Sequence, residues 1–374
     1  MKNLTFFLLI FLIFSCKSEI TNEVPEAPAE TPQEKKRAKF EPADGEVILF
    51  VGQELDAVGG LEEYNDGYYD HFDTPGGFTM YTKIRPGDES FGFKITGLCG
   101  VFSTDDWGDG NSNMSLQVAD EDFKHSALAI GFEFFNHDKA LAAGEHDSLV
   151  IQLGEWIQSL SPRPVFLRIG YEFGGSWNGY DRKAFIAAYR RMKDMYDEMG
   201  IDNIAYVWQS HGWEEPMDHL EAWYPGDEYV DWCGHSHFAR WEEVNMIEFA
   251  RKKGKPVFIA EATPTLGTET ITTNGKTKPT DLSNEGQAKE AWDEWFVPFF
   301  KTIDDNPDVV KAISYINANW KSRPMWKENP TFQDIDARLH LNEEIANKWR
   351  TETSKEKYLK SSPGLFDYLY NNSK

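Results

Sequence analysis

The sequence predicts an α/β fold, a closed (β/α)8 barrel of the TIM type, and three observations lead to that prediction. Short apolar runs alternate with segments of helical spacing between residues 46 and 317, which is typical of parallel strands joined by crossover helices. The later runs are apolar at nearly every position, as strands covered on both faces require. The roughly 330 residues after residue 44 suit one barrel with insertions. No glycine-rich phosphate loop follows the first strand, which argues against a dinucleotide-binding sheet.

The first 16 residues predict an export signal. Lys2 precedes an apolar run that ends at Phe14 and is too short to span a bilayer comfortably. Ser15 and Cys16 follow directly and resemble the lipobox of bacterial lipoproteins. The resemblance implies that Cys16 is acylated and anchors the exported protein at the bacterial cell envelope. The expected site is the outer membrane, with the protein facing either the periplasm or the cell surface. An ordinary signal peptide with a chance cysteine is the alternative.

Residues 17–44 predict a disordered tether. Glu, Pro, Ala, Thr and Lys dominate this stretch, and such a composition buries too little apolar surface to offset the entropy of ordering. A proline-rich polar segment acts as a semi-extended spacer. Residues 45–374 are therefore predicted to form the barrel domain.

Charge and aromatic content limit the classes of partner. Acidic residues outnumber basic ones by 62 to 38, a formal charge of −24, which argues against a nucleic-acid partner. The 13 Trp residues exceed what a core needs, because each buried indole N–H requires a partner. Flat indole faces suit sugar rings, with partly buried structural Trp as the alternative for several of them. A neutral polysaccharide is therefore the expected substrate, and an anionic one would need a local basic patch.

The cysteines give no indication of a metal. Besides Cys16 the chain has Cys99 and Cys233, both within apolar stretches, and we predict two buried free thiols rather than a disulfide. No Cys/His spacing suggests zinc. The sequence therefore predicts no metal, and it predicts no cofactor. Separately, we expect a monomer that is attached to the membrane through the lipid anchor alone.

The secondary-structure prediction follows the apolar runs. Predicted strands cover residues 46–51, 77–84, 91–102 (near its end), 127–135, 164–173, 203–209, 230–238, 256–261 and 309–317; predicted helices cover residues 138–160, 182–199, 242–253 and 285–303. Counting back from the last strand makes residues 256–261 the seventh strand and residues 164–173 the fourth. The numbering of the strands before the fourth stays open by one position.

Two carboxylates stand at the ends of the fourth and seventh strands, Glu172 and Glu261. Catalytic residues of such barrels lie at the carboxyl ends of strands, and strands four and seven face each other across the mouth. Cleavage of a glycosidic bond needs one protonated and one ionised carboxyl group. Burial would raise the pKa of the first, and Arg168 would keep the second anionic. A structural ion pair is the alternative for either residue.

Three segments resemble glycoside hydrolase family 26 of clan A, the β-mannanase and β-1,3-xylanase family. They are residues 164–168 followed by Glu172 and Trp177, the run YPGDEYVD at residues 224–231, and residues 255–261 ending in Glu261. The resemblance implies that Glu172 is the acid/base and Glu261 the nucleophile of a hydrolase that retains anomeric configuration.

The same resemblance implies roles for four neighbouring residues. Arg168 would sit beside the nucleophile and keep it ionised. Trp320, at the end of the eighth strand, would be the sugar platform at the cleavage subsite. Trp177 and Trp208 would serve flanking subsites.

The chain departs from the family pattern around the cleavage subsite. Tyr171 stands where the family has His before the acid/base, and Gly174 opens a Gly-Gly pair where mannanases have Asn-Gly. The sixth strand ends in His237 and Phe238 instead of Tyr. His237 could take over the hydrogen bond to Glu261, or it is a satisfied polar residue of the cleft wall.

Weaker signals lie on the remaining loops. His211 ends the fifth strand, and Gln53 and Asp56 follow the first strand, where they could contact sugar. Residues 105–111 are acidic and Gly-rich but lack the closing Glu of an EF-hand, so we predict a plain loop. Residues 263–284 are long, polar and Thr-rich, and we expect a flap over the cleft.

The leading hypothesis is a retaining, endo-acting β-glycoside hydrolase that cleaves a plant or algal polysaccharide. The resemblance favours β-1,4-mannan first, and β-1,3-xylan or another algal polysaccharide second. A hypothesis of another class is a non-catalytic surface glycan-binding lipoprotein, which would keep the Trp platforms without needing both Glu172 and Glu261.

Overall fold

A computed structural model of the protein describes residues 37–212, 215–238, 244–266 and 278–372. The predicted signal, Cys16 and the tether up to residue 36 lie outside the described residues, as do residues 267–277 of the predicted flap. None of the helices in the described ranges combines the length and apolar character that crossing a membrane requires.

Eight parallel strands close into a barrel, which confirms the predicted (β/α)8 fold. They are β1 (Val47–Gly52), β2 (Gly77–Lys83), β3 (Ala127–Glu133), β4 (Val165–Ile169), β5 (Ile204–Ser210), β6 (Trp232–His237), β7 (Val257–Ala262) and β8 (Val310–Ile316). Each strand pairs with the next, and β8 pairs back with β1, where Leu49 lies opposite Ile313. Closure leaves the barrel no free edge.

Helices cover the outside of the barrel and its two ends. They are Leu55–Val58, Tyr68–His71, Met114–Ala119, Asp138–Ala143, Asp147–Ser159, Arg182–Glu198, Met217–Trp223, Val244–Lys253, Glu285–Ala291, Val297–Asp305, Glu343–Thr353 and Leu365–Asn372, with a π-helical turn at Trp292–Phe296. The predicted helix over residues 138–160 is two helices, because Gly144 adopts a left-handed φ of 84° and ends the first. The predicted helix over residues 285–303 continues through the π-helical turn.

The predicted strand within residues 91–102 is wrong. This stretch contains only the second strand, Phe93–Lys94, of a short hairpin whose first strand is Glu89–Ser90. The rest of the stretch is loop. Gly92, Gly97 and Gly100 all have positive φ and bend the chain repeatedly. The apolar character that suggested a strand comes from loop residues that are buried without pairing, such as Ile95 and Val101. The second barrel strand is residues 77–83, so β4 and β7 carry the numbers that the sequence assigned to them.

The barrel interior is aromatic at its amino-terminal end. The cluster there consists of Phe40, Ile48, Phe50, Ala127, Ala129, Phe166, Ala205, Val207, Trp232, Phe258, Ala260, Ala312, Leu365 and Leu369. The predicted end of the tether at residue 44 is therefore wrong. Phe40 is fully buried against Phe166, and the carbonyl of Lys39 accepts a hydrogen bond from Trp232 Nε1 at 2.7 Å. Burying one Phe side chain contributes about 1.5–3 kcal/mol, which ties this segment to the barrel.

Both remaining cysteines are buried free thiols, as predicted. Neither Cys99 nor Cys233 forms a disulfide. Burial raises the pKa of the Cys233 thiol to about 12, so it stays protonated at neutral pH and is a poor nucleophile.

Candidate active site

The barrel interior turns polar at its carboxyl-terminal end. Side chains of a strand alternate between its two faces, so the inward series that begins with Phe166 and Phe258 continues upward with polar residues. Hydrogen bonds join those of five strands in one network: Tyr81, Arg168, Gln209, Ser236 and Glu261. Tyr81, Gln209 and Ser236 could have been found only by knowing which strand residues face inward. Strands that are apolar on both faces do not reveal this.

A β-bulge directs Glu261 into this network. Along β6 and β7, Ile259 lies opposite His235, but Glu261 lies opposite the next residue, Ser236. Ala260, between Ile259 and Glu261, is the extra residue, and it breaks the alternation of side chains between the two faces of β7. Bulges commonly redirect a side chain beside a functional site. Glu261 is consequently inward-facing and only 6% exposed.

Arg168 holds Glu261 from one side. Its Nη2 donates to Glu261 Oε1, its Nε donates to Gln209 Oε1 at 2.7 Å, and its Nη1 donates to the Tyr81 hydroxyl at 3.3 Å. The rings of Tyr81 and Tyr171 lie 5.0 and 5.1 Å from the guanidinium carbon. Burial lowers the pKa of Arg168, but Tyr81 and Glu261 more than offset this and leave it raised. The guanidinium is therefore a permanent cation that contacts the Glu261 carboxyl group directly.

Glu172 stands in a strained loop directly after β4. Its φ of 55° is left-handed, a conformation that non-glycine residues seldom adopt and that often marks a functional site. Asn178 secures the loop, since its Nδ2 donates to the Glu172 carbonyl at 2.7 Å. The carboxylate accepts from Ser236 Oγ at 2.7 Å and from Trp177 Nε1 at 3.2 Å.

The environment of Glu172 favours the protonated form. Burial and then the charge of Glu261 raise the pKa of Glu172 to about 8, although the hydrogen bonds from Ser236 and Trp177 act in the opposite direction. In the described ranges no Lys or Arg side chain forms an ion pair with it. Glu172 and Glu261 thus sit in opposite electrostatic surroundings, which is how a donor and a nucleophile are distinguished.

Two side chains link the carboxylates across the mouth. Gln209 Nε2 donates to Glu261 Oε1 at 3.2 Å and to Ser236 Oγ at 3.0 Å, and Ser236 Oγ in turn donates to Glu172. The two Glu residues that the sequence selected therefore belong to one connected site. The linking residues were missed as site residues.

Tyr171 and Trp177 both lie at this site. Tyr171 packs edge-on against Tyr81 with ring centroids 5.2 Å apart, and its hydroxyl is 3.5 Å from a Glu133 carboxylate oxygen. Trp177 is 54% exposed, and its indole N–H contacts Glu172. Trp177 therefore places a partly exposed indole beside Glu172, on which a sugar ring can stack.

Two predicted contacts with sugar are wrong because the side chains point away from the cleft, and a third residue is covered in this structure. Trp208 is fully buried and stacks on Phe173 at 4.4 Å, behind the barrel wall. His237 faces outward against Trp295 and Phe299, so it cannot replace the missing Tyr beside Glu261. Trp320 is 1% exposed and stacks on Phe332 at 4.4 Å, so neither face is open in this structure. A phenol does lie in this network, because the Tyr81 hydroxyl accepts from Arg168 Nη1 at 3.3 Å and Arg168 also contacts Glu261.

His211 belongs to a polar cluster beside Trp177. Its ring centroid lies 5.5 Å from that of Trp177, and its Nε2 is 3.2 Å from Glu215 Oε1. Burial lowers the pKa of His211 to about 4, so the ring is neutral at pH 7. A Cβ atom on Gly174 would lie 2.0 Å from Glu215 Oε1, so a side chain at this position would have to displace the Glu215 carboxylate.

Gln53 and Asp56 lie at the rim of the mouth. Gln53 Nε2 donates to Asp109 Oδ2 at 2.8 Å, and Asp56 forms an ion pair with Arg323 at 2.8 Å. Arg323 also pairs with the buried Glu54 at 2.7 Å. Arg323 was missed because the segment after β8 carries no motif.

In the acidic loop over residues 105–111, the carboxylates of Asp105 and Asp106 accept hydrogen bonds from backbone amides of this protein. Asp106 Oδ1 accepts from the amides of Gly108 and Gly110 at 2.8 and 3.1 Å. Asp105 Oδ2 accepts from the Gly100 amide at 2.8 Å. These contacts are those of ordinary turns.

Comparison with known proteins supports the chemistry that the site suggests. A model of glycosyl hydrolase family 26 matches residues 133–325. The β-1,3-xylanase TXYA of Vibrio sp. is 33% identical over 90% of this chain and 70% of its own length. A β-1,3-xylanase of Alcaligenes sp. is 31% identical over 88% of this chain and 68% of its own length.

Solved structures share the fold at low sequence identity. GH26C from Muricauda sp. has a TM-score of 0.56 at 14% identity, over 86% of this chain and 90% of its own. A family 26 β-mannanase from Bacteroides ovatus has a TM-score of 0.54 at 13% identity, over 85% and 91%. The family match spans both Glu172 and Glu261, and the two xylanases align with nearly the whole chain. The chain therefore belongs to glycoside hydrolase family 26.

Proposed function

We propose that this family member is a retaining, endo-acting β-glycoside hydrolase with Glu172 as acid/base and Glu261 as nucleophile. The observation that supports the proposal best is the connected pair of carboxylates at the barrel mouth. One is paired with a buried Arg and the other has its pKa raised to about 8. A glycan-binding protein would have no need of a strained Glu172 or of the hydrogen bonds that join it to Glu261.

The proposed reaction has two steps. In the first, Glu261 attacks the anomeric carbon while Glu172 gives its proton to the leaving glycosidic oxygen. This step forms a glycosyl ester on Glu261 and releases the leaving part of the polysaccharide. In the second, Glu172 takes a proton from water, the water oxygen attacks the anomeric carbon, and the ester bond breaks. Forming the ester removes the negative charge of Glu261. Because that charge raises the pKa of Glu172, its loss turns the acid into the base that the second step requires.

For the substrate we propose β-1,3-xylan. The sequence favoured β-1,4-mannan, with β-1,3-xylan second. Two β-1,3-xylanases at 33% and 31% identity over most of the chain support the reverse order, whereas the mannanase structure at 13% identity supports the fold alone. Gly174 is compatible with this order, because an Asn side chain at this position, as mannanases have, would have to displace the Glu215 carboxylate.

A reducing-sugar assay on a panel of polysaccharides tests this function. With β-1,3-xylan, β-1,4-xylan, β-1,4-mannan and β-1,3-glucan at equal mass, we expect β-1,3-xylan to give the highest rate. The margin should be at least about tenfold, the scale of discrimination by a few pocket contacts. A mixture of oligosaccharides early in the reaction would support endo action. Higher activity on mannan would contradict the substrate, and binding without release of reducing ends would contradict the hydrolase.

A further inference from the structure

A cluster of three potential metal ligands lies outside the hydrolytic network. Asp66 and His71 belong to the segment between β1 and β2, where His71 ends the helix Tyr68–His71, and His340 belongs to the turn Leu339–Leu341 after β8. Asp66 Oδ1 lies 2.8 Å from His71 Nε2 and 3.7 Å from His340 Nε2. The two imidazole rings stack with centroids 4.0 Å apart. Segments distant in sequence thus bring one carboxylate and two imidazoles together.

His340 is the observation that points to a ligand. Its side chain is 9% exposed. Neither of its ring nitrogens has a hydrogen-bond partner within the described parts of the chain. Leaving a buried polar group unsatisfied costs about 1–3 kcal/mol, and a metal bound at Nε2 would remove part of that cost.

We propose that Asp66, His71 and His340 bind a divalent transition metal, with Zn²⁺ as the representative ion. Tetrahedral zinc sites with nitrogen and oxygen ligands at about 2.0–2.2 Å place those ligand atoms about 3.3 Å apart. The separations of 2.8 and 3.7 Å lie on either side of that value. Two imidazoles and one carboxylate suit Zn²⁺, Ni²⁺ or Cu²⁺, whereas Ca²⁺ and Mg²⁺ prefer oxygen ligands.

The surroundings of the cluster are compatible with a cation. Two Arg side chains lie near the cluster. Arg338 is neutralised by Asp336, whose two carboxylate oxygens accept from it at 2.9 Å, and Arg350 Nη2 donates to the His71 carbonyl at 3.1 Å. Asp66 lines a cavity that it shares with Asp56 and Arg323, which gives the ion a path from solvent. The bound ion would connect the β1–β2 loop to the turn after β8 and stiffen the rim beside the proposed cleft.

Isothermal titration calorimetry with ZnCl₂ tests this site. The full chain, stripped of metal with EDTA and exchanged into buffer, should bind one equivalent of Zn²⁺, and its melting temperature should rise with Zn²⁺ concentration, since ligands of the folded state stabilise it. His340→Ala, His71→Ala and Asp66→Asn should each weaken binding by at least about 100-fold, because even partners of metal ligands are worth about 10–100-fold.

A second histidine pair provides the matched control. His137 Nδ1 lies 3.0 Å from His146 Nε2, away from this cluster, and His146→Ala should leave the affinity unchanged. Asp66 and His71 are exposed enough that their variants should fold if His340→Ala does not, and circular dichroism checks each one. Failure of the parent chain to bind Zn²⁺, equal affinity in Asp66→Asn, or loss of binding in His146→Ala would overturn the site. Tighter binding of Ca²⁺ than of Zn²⁺ would overturn the class of metal.

Discussion

Replacing Glu261 by alanine is expected to reduce hydrolysis by at least about 10,000-fold, the scale seen when an enzyme loses its nucleophile. Without this carboxylate no glycosyl ester can form. The variant also leaves the charge of Arg168 without its partner inside the barrel, and breaking such a buried pair costs about 3–5 kcal/mol. We therefore expect a lower melting temperature as well. Glu261→Gln keeps the shape of the side chain and should lose as much activity.

Azide distinguishes loss of the nucleophile from loss of the fold. A small anion is expected to enter the space vacated in Glu261→Ala, because the uncompensated Arg168 attracts it. It should attack the anomeric carbon directly and give a glycosyl azide of inverted, α configuration. Chromatography and NMR identify that product, and circular dichroism shows that the variant is folded. Residual hydrolysis near the parent level, or a β-glycosyl azide, would contradict the assignment.

Replacing Glu172 by glutamine is expected to slow polysaccharide cleavage by about 100- to 10,000-fold, the usual value of a positioned proton donor. Aryl glycosides with acidic phenol leaving groups need little protonation. Formation of the ester from such a substrate should therefore be nearly as fast in the variant as in the parent, measured as the initial burst of phenol. Equal losses on both substrates would show that Glu172 does not donate the proton.

The pH profile gives an independent test of the same residue. Glu172 must be protonated to donate, and its pKa is raised to about 8. The parent kcat/KM should consequently decline as pH rises through about 8, because the carboxyl group loses its proton. Glutamine cannot titrate, so this alkaline decline should be absent from Glu172→Gln. An unchanged alkaline decline in the variant would assign it to another group.

The fold and the position of Glu172 and Glu261 at the barrel mouth could be predicted because they depend on local sequence. Runs of apolar residues marked β4 to β8, and the residues at the ends of β4 and β7 stood out as charged groups after apolar strands. The early strands were harder, because buried loop residues such as Ile95 and Val101 mimic a strand. Phe40 was assigned to the tether because one apolar residue in a polar segment gives no sign of the cavity that it fills.

The direction of individual side chains could not be predicted. A strand buried on both faces is apolar on both, so nothing in the sequence separates the outward Trp208 from the inward Gln209. The same ambiguity placed His237 in the cleft, although Ser236 is the inward residue. Glu261 reaches the interior only through a bulge, and the pairing of β6 with β7 that creates it is not visible in one chain.

The stereochemistry of hydrolysis tests the central proposal most directly. ¹H NMR during the first minutes of cleavage, before mutarotation, records which anomer of the new reducing end forms first. Attack by Glu261 followed by attack of water inverts the anomeric carbon twice, so a β-linked substrate should give the β anomer first, with the α anomer growing later. Initial appearance of the α anomer would show direct attack by water and would contradict Glu261 as the nucleophile.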